Sequence, residues 1–226
     1  MGAGFGAFGK MPSVGDFFRL NPPPGFVSVW DGWLQNALLA GQSALGEEWD
    51  AHYMSAPIWR FTLSAGLAGP DKVIGVLMPS VDRVGRRFPL TLAAVAATPG
   101  PAQLDHFSEE PLFEQLEELA LDALEDSMTR DRLADRLAGM STPQSRRNAR
   151  MAQAGSRLVL SSGTQGMLAP LAAGLLAQHS RQPSLWSAVV DGAHRLLVCE
   201  GLPQGGDLQG LFQMEARMWQ GGAEIT

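Results

Sequence analysis

The sequence predicts a three-layer α/β/α fold built on a mixed, mostly antiparallel sheet. Three observations lead there. Hydrophobic residues make up 45% of the 226-residue chain, ample for a packed core. Three strand-like stretches, 58–64, 72–78 and 88–96, follow one another without crossover helices between them, so they are antiparallel neighbours. Segments of helical period lie before and after them, so helices flank the sheet.

The elements follow in order. Residues 4–9 alternate Phe with Gly and Ala and form a short first strand. Pro12, Gly15 and the prolines at 22–24 then enforce an ordered loop. From Gly25 the period changes. Trp30, Trp33, Leu34, Ala37, Leu38, Gly41 and Leu45 line one face of an amphipathic helix. A short helix over 47–54 stops before Pro57. Gly66, Gly69 and Pro70 turn the chain between the first two central strands, and the polar loop MPSVDRVGRRF joins the second to the third. Thr98-Pro99-Gly100-Pro101 marks a break. Ser108, Glu109, Glu110 and Pro111 then predict a helix start with Ser108 as the capping hydroxyl. Leu112, Phe113, Leu116, Leu119, Ala120, Ala123 and Leu124 form its buried stripe. From Asp105 to Asp126 the chain carries nine acids and no Lys or Arg. Residues 130–137 add a further helical turn or two. Residues 140–156 are polar and basic, which predicts a flexible loop with Arg146, Arg147 and Arg150 exposed. A strand at 157–161, a helix at 165–178, a hairpin of 185–190 with 195–199 turning at Asp191-Gly192, and a last helix near 207–214 complete the chain. Residues 1–226 read as a single domain, in which 1–97 carry the motifs and 98–226 vary more.

Composition narrows the function. The net charge of −6 argues against a dedicated nucleic-acid binder. One cysteine, Cys199, builds neither a disulfide framework nor a thiolate metal site, and its apolar setting predicts a buried structural thiol. No signal peptide and no apolar run of membrane-spanning length is present, which predicts a cytoplasmic protein.

The opening MGAGFGAFGK invites a nucleotide-binding reading, because Gly4 to Lys10 is one residue short of a phosphate loop. Met11 stands where magnesium would need Ser or Thr, and Pro12 and Gly15 break the helix that should receive the phosphates. Geometry accounts for the glycines better. Gly4 and Gly6 let a neighbouring backbone lie close, and Gly9 and Gly15 permit positive φ.

The densest charge group is Asp82-Arg83-x-x-Arg86-Arg87. It reads either as a loop whose Arg forks bind phosphate or carboxylate, or as an ion-pair network that pins the loop, with Asp16 or Asp31 as partners. Lys10 is expected to pair with an acid. Asp16, Asp31 and Asp82 have no metal-ligand spacing, and no cofactor or metal is expected. His52, His106, His179 and His194 are scattered and read as surface or capping residues. Neither Ser80 nor Ser162 sits in a nucleophile elbow, so no catalytic group is assigned. Trp30, Trp33 and Trp59 read as core, and Trp219 as an exposed contact point. The acidic helix and the basic loop after it read either as two solvated faces or as a pair that orients a charged partner.

Several blocks resemble one family. Gly9-Lys10-Met11-Pro12-Ser13-x-Gly15-Asp16-Phe17 is similar to the opening motif of the TagF (ImpM) family of type VI secretion-associated proteins. Trp30-Asp31-x-Trp33-Leu34, Ala56-Pro57-Ile58-Trp59-Arg60-Phe61, and Gly75 to Arg86 followed by Phe88-Pro89-Leu90 resemble further family segments in order. Beyond about residue 100 the resemblance narrows to Ser184-Leu185-Trp186 and Cys199-Glu200-Gly201-Leu202-Pro203. The resemblance implies a cytoplasmic, non-catalytic negative regulator of type VI secretion that binds a forkhead-associated-domain protein of the apparatus. The expected partner-binding residues are Lys10, Asp16, Asp82, Arg83, Arg86 and Arg87. The alternative from another class is a small-molecule or nucleotide binder with Lys10 and Arg83 as phosphate ligands.

Overall fold

The computed structural model describes residues 4–143, 149–154, 157–162 and 166–221. Its centre is a seven-stranded sheet. The strands are β1 (Gly6–Gly9), β2 (Phe18–Leu20), β3 (Trp59–Leu63), β4 (Val73–Met78), β5 (Leu90–Val95), β8 (Pro183–Val190) and β9 (Ala193–Glu200), in the order β2-β1-β5-β4-β3-β8-β9. Among the described residues every strand pairing is antiparallel, and the one parallel register is an isolated bridge between Pro183 and Gly201. The last hairpin therefore completes the sheet that the first hundred residues begin. Its turn has Asp191 at φ 51° and Gly192 at φ 78°, the left-handed pair that a tight twisted hairpin demands.

Helices cover both faces. On one side lie α1 (Phe26–Leu45), α2 (Trp49–Ser55) and α7 (Gly206–Phe212). On the other lie α3 (Ala102–Ser108), α4 (Glu110–Asp122) and α5 (Arg130–Ala138). Strand alternation divides the core accordingly. Trp59, Phe61, Val73 and Leu77 face the α1, α2 and α7 layer, while Ile74, Val76, Met78 and Leu92 face α4 and α5. Strands covered on both faces read as continuous apolar runs, which is why VIGVLM is buried throughout. A separate hairpin of β6 (Arg150–Ala154) and β7 (Arg157–Ser161) packs through β6 on α6 (Leu168–Leu176), which lies against α3. A short α8 (Arg217–Gln220) ends the described chain. No helix among the described residues is long and apolar enough to cross a membrane.

The helical stripe that begins at Trp30 is buried as its period predicts. Trp30, Trp33, Phe61 and Trp186 form a stack of rings, with Trp30 and Trp186 almost parallel at 5.9 Å. Their indole N–H groups are satisfied. Trp30 donates to Thr91 Oγ1 (2.9 Å), Trp33 to the Pro203 carbonyl (2.9 Å) and Trp186 to Ser184 Oγ (3.0 Å).

Several local expectations are corrected. The loop after β1 contains β2, whose pairing with β1 supplies an order that its own three residues do not encode. The helical region after residue 101 is two helices, and Ser108 closes α3 instead of capping α4, whose cap position is Glu109. Leu124 is exposed, because it lies past the end of α4. Residues 150–154 form β6, not a flexible loop: they pair along β7, and the Met151 side chain occupies the space that Gly174 leaves free. Arg150 is exposed as expected, whereas Arg146, Arg147 and the predicted helix start at Gln165 lie outside the described residues. Trp219 is no exposed contact point. It stacks on Trp59 at 5.9 Å and donates to the Gly210 carbonyl at 2.9 Å.

The opening glycines are there for close approach. A Cβ at Gly6 would lie 2.1 Å from the Asn21 carbonyl oxygen, and one at Gly9, where φ is 133°, 2.0 Å from that of Pro89. A Cβ at Gly4 would meet nothing within 4 Å, so Gly4 does not share this role. Gly9→Ala is therefore expected to cost on the order of 2–4 kcal/mol in urea unfolding, from overpacking and the left-handed backbone together. Gly4→Ala should leave the midpoint unchanged, and equal midpoints for the two variants would refute the packing role of Gly9.

Candidate functional site

Two loops emerge together at one end of the sheet, because β1 and β4 both run antiparallel to the intervening β5. Residues 10–17 leave β1, and residues 79–89 join β4 to β5. Their junction is an ion pair. Lys10 is 5% exposed and Asp82 2%, and Lys10 Nζ lies 3.0 Å from Asp82 Oδ2. The Lys10 ammonium also sits 4.6 Å from the centre of the Phe17 ring, which in turn packs edge-on against Phe88.

Asp82 organises the second loop. Its Oδ1 accepts from the backbone N–H groups of Val84 (3.1 Å) and Arg86 (2.9 Å), and its Oδ2 accepts from Arg86 Nε (2.6 Å). Burial by itself would raise the pKa of the Asp82 carboxyl. The Arg86 amide, the Lys10 ammonium, the Arg86 guanidinium and the Val84 amide outweigh that and hold it well below the ordinary carboxylate range. The loops are stitched by Arg83 N–H to the Val14 carbonyl (3.1 Å) and by Arg86 Nη2 to the Gly15 carbonyl (2.8 Å). Gly15 does not have the expected positive φ. Its smallness instead makes room for Arg83, whose Nη2 would lie 3.1 Å from a Cβ there.

The wider end is braced from α2. Arg87 pairs with Asp50 at 2.7 Å. The Tyr53 hydroxyl donates to the Ser80 carbonyl (2.8 Å) and accepts from the Ser80 N–H (3.0 Å). Burial, opposed by that hydrogen bond and by the Arg87 charge, pushes the phenol above its usual pKa.

Of the six residues expected to meet a partner, the structure thus puts Lys10 and Asp82 inside. Arg86 and Arg87 are exposed but engaged. Asp16 accepts from the N–H of Phe17 in a local turn (2.8 Å). Asp31 is elsewhere, accepting from Gln35, so neither it nor Asp16 joins the Asp82 network. Arg83 is exposed, and its guanidinium has no hydrogen bond or ion pair among the described residues. Two apolar residues beside these charges had no signal in the sequence. Phe17 is 50% exposed and Val84 70%. Both lie in loops, where no periodicity distinguishes inward from outward positions.

A second polar cluster lies under α3 and α4. Arg60 holds Glu117 bidentately (2.7 and 2.8 Å) and Glu110 at 2.6 Å. Lys72 Nζ joins Asp105 (2.5 Å) and the carbonyls of Thr98 and Gly100. Three acids of the acidic segment therefore neutralise cations of the sheet layer. His106 is buried, contrary to the surface role expected of it, because α3 presses it onto the polar side of β3 and β8. Its ring links Thr62 Oγ1 (3.0 Å) to Ser187 Oγ (2.9 Å). Burial first, and the Arg60 charge second, keep it neutral down to about 3. A serine–histidine pair whose other ring nitrogen meets a threonine, with so weak a base, is a cross-brace and not a nucleophile–base pair. Cys199 is buried, and burial together with Asp207 pushes its thiol up to about 12, as suits a structural residue. The described residues contain no cluster of three or more metal-ligating side chains.

A family model described as TagF N-terminal domain, Type VI secretion system-associated, matches residues 6–140. Both loops lie in that span. No curated protein matches the chain. Among solved structures, the crystal structure of PA0076 from Pseudomonas aeruginosa PAO1 is similar with a TM-score of 0.73 and 31% identity, over 98% of this chain and 97% of that one.

Two of the buried ionisable groups, His106 and Asp82, act in separate pH windows. The pKa of His106 is lower folded than unfolded, so only the unfolded chain takes up its proton below about 6.5, and stability falls on acidification towards about 3. The carboxyl of Asp82 is also depressed. Its contribution is complete above about 3.9 and is lost below that. Urea unfolding from neutral pH to about 4 should therefore be steeper in the native chain than in His106→Gln, by as much as one proton or about 1.4 kcal/mol per pH unit. Asp82→Asn should leave that slope alone and remove only the steepening at lower pH. Parallel curves for the native chain and His106→Gln would contradict the assignment.

Proposed function

The chain belongs to the TagF family of type VI secretion system-associated proteins, and from that membership we propose that it is a non-catalytic repressor of type VI secretion. It acts after translation, in the cytoplasm, by binding a forkhead-associated-domain component of the apparatus. The contact surface is the paired loops, with Arg83 and Arg86 as anchors and Phe17 and Val84 as their apolar neighbours.

The observation that carries this reading is the Arg83 guanidinium, unpaired among the described residues, at an exposed tip that also shows Phe17 and Val84. Arg and aromatic side chains dominate interface hot spots, and an Arg fork suits a carboxylate or a phosphate. The buried Lys10–Asp82 pair holds both loops before the partner arrives, which lowers the ordering cost of binding. The nucleotide-binding alternative is disfavoured by the same geometry. Lys10 faces Asp82 from within and Arg83 lies outside, so the two do not form one phosphate cradle.

Arg83→Glu combined with Phe17→Ala should weaken binding of the purified forkhead-associated-domain protein by at least about tenfold in calorimetry, with the melting temperature lowered by no more than a few degrees through the lost Phe17 contacts. In the native host the same variant should release secretion from repression. Undiminished affinity in the double variant would remove this surface from consideration.

A further inference from the structure

The two edges of the sheet are finished differently. At one edge β2 is three residues long, and Arg130 Nη2 donates to its Arg19 carbonyl (3.1 Å). At the other, β9 runs for eight residues, AHRLLVCE, with no proline, lysine or bulge to blunt it. In a two-residue hairpin the residues that flank the turn, here Val190 and Ala193, exchange hydrogen bonds, and the pattern then alternates along the strands. The Gly201 N–H keeps the same phase at the far end, donating to the Gln182 carbonyl (3.0 Å). The N–H and C=O groups of His194, Leu196, Val198 and Glu200 therefore point away from β8. Among the described residues nothing bonds to them.

Two groups on the α1 side of this edge lack counter-charges. Arg195, Leu197 and Cys199 alternate onto that side. The Arg195 guanidinium lies 5.9 Å from the centre of the Trp219 ring, and its Nε is buried without a hydrogen-bond partner among the described residues. A buried donor left so is unfavourable and calls for an acceptor. Asp207 sits in the first turn of α7 with its Oδ2 3.6 Å from Cys199 Sγ, and no cation pairs with it among the described residues. Arg195 and Cys199 are separated by about 13 Å of strand, so one chain does not bring the guanidinium to that carboxylate. On the other side of β9, Leu196 is 45% exposed.

We propose that β9 pairs antiparallel with β9 of a second copy of this chain, about a twofold axis at Leu197, so that one sheet runs through both copies. The strand selects that partner and that register. An axis at Leu197 overlaps residues 194–200 completely and uses every outward backbone group. It sets Leu196 opposite Val198 and Arg195 opposite Cys199 of the other copy. Each Arg195 then meets the Asp207 carboxylate beside that cysteine, and symmetry makes the contact twice. An axis at Arg195 would instead set two guanidinium groups face to face. A strand of another protein would use the same backbone groups, but the matched cation and anion are supplied by this chain itself.

The test is sedimentation equilibrium of the full chain. The native protein should be dimeric at about 100 µM and dissociate on dilution. Leu196→Pro loses an N–H that faces outward and keeps the bonds to β8, so it should fold by circular dichroism and weaken the dimer at least about tenfold. Arg195→Glu and Asp207→Arg should each be monomeric alone, because each sets like charges opposite one another. Mixed in equal amounts they should form a salt-sensitive heterodimer, in which both contacts are again opposite in sign. A variant that is merely misfolded does not recover on mixing. Arg83→Glu should dimerise like the native chain, so failure here and failure at the paired loops are distinguishable. A monomeric native chain, a dimer indifferent to Leu196→Pro, or charge variants that stay apart on mixing would overturn the proposal.

Discussion

A lysine and an aspartate that meet away from water set the geometry of one whole end of this protein. Lys10 and Asp82 come from segments more than seventy residues apart. Removing two charges from solvent is unfavourable unless each finds opposite charge and enough hydrogen bonds. Asp82 meets the condition by collecting two backbone amides and the Arg86 guanidinium as well. That need folds the second loop around the carboxylate, and the resulting shape turns Arg83 and Val84 outward. The same pair holds Phe17 over Lys10, so the exposed tip of one loop depends on the buried charge of the other.

The sheet has two kinds of surface on its α3–α5 side. Under α4 and α5, β4 and β5 offer Ile74, Val76, Met78 and Leu92, and the packing is apolar. Beside them, β3 and β8 offer Arg60, Thr62 and Ser187, which require polar company. Helices α3 and α4 supply it with His106, Glu110 and Glu117. The acidity of this segment is thus partly internal. It reflects what the strands present as much as what solvent prefers.

Periodicity made α1 and the central strands legible, because an apolar side chain every third or fourth residue, or a fully apolar run of six, seldom arises except where a face is buried. The same test is blind to β2. Phe18–Leu20 is too short for a pattern and exists because β1 offers it a partner. It is also blind to β6, whose polar composition is overridden by β7 on one edge and by Gly174 below Met151. Of the site, the kinds of charge were legible and their partners were not. Lys10 was expected to find an acid, but only the fold selects Asp82 over Asp16 and Asp31. His106 looked like a solvent residue because nothing local announces Thr62 and Ser187, which come from distant strands.

The ring stack beneath α1 gives the molecule an optical signature. Trp30, Trp33 and Trp186 lie within about 6 Å of one another and come from a helix and a remote hairpin. Indoles at such spacing couple their strong electronic transitions, so the far-ultraviolet circular dichroism of the folded chain carries an exciton contribution. The part of that signal that involves Trp186 exists only while α1 and β8 are both seated on the sheet. It reports the union of the first and last thirds of the chain without any added dye.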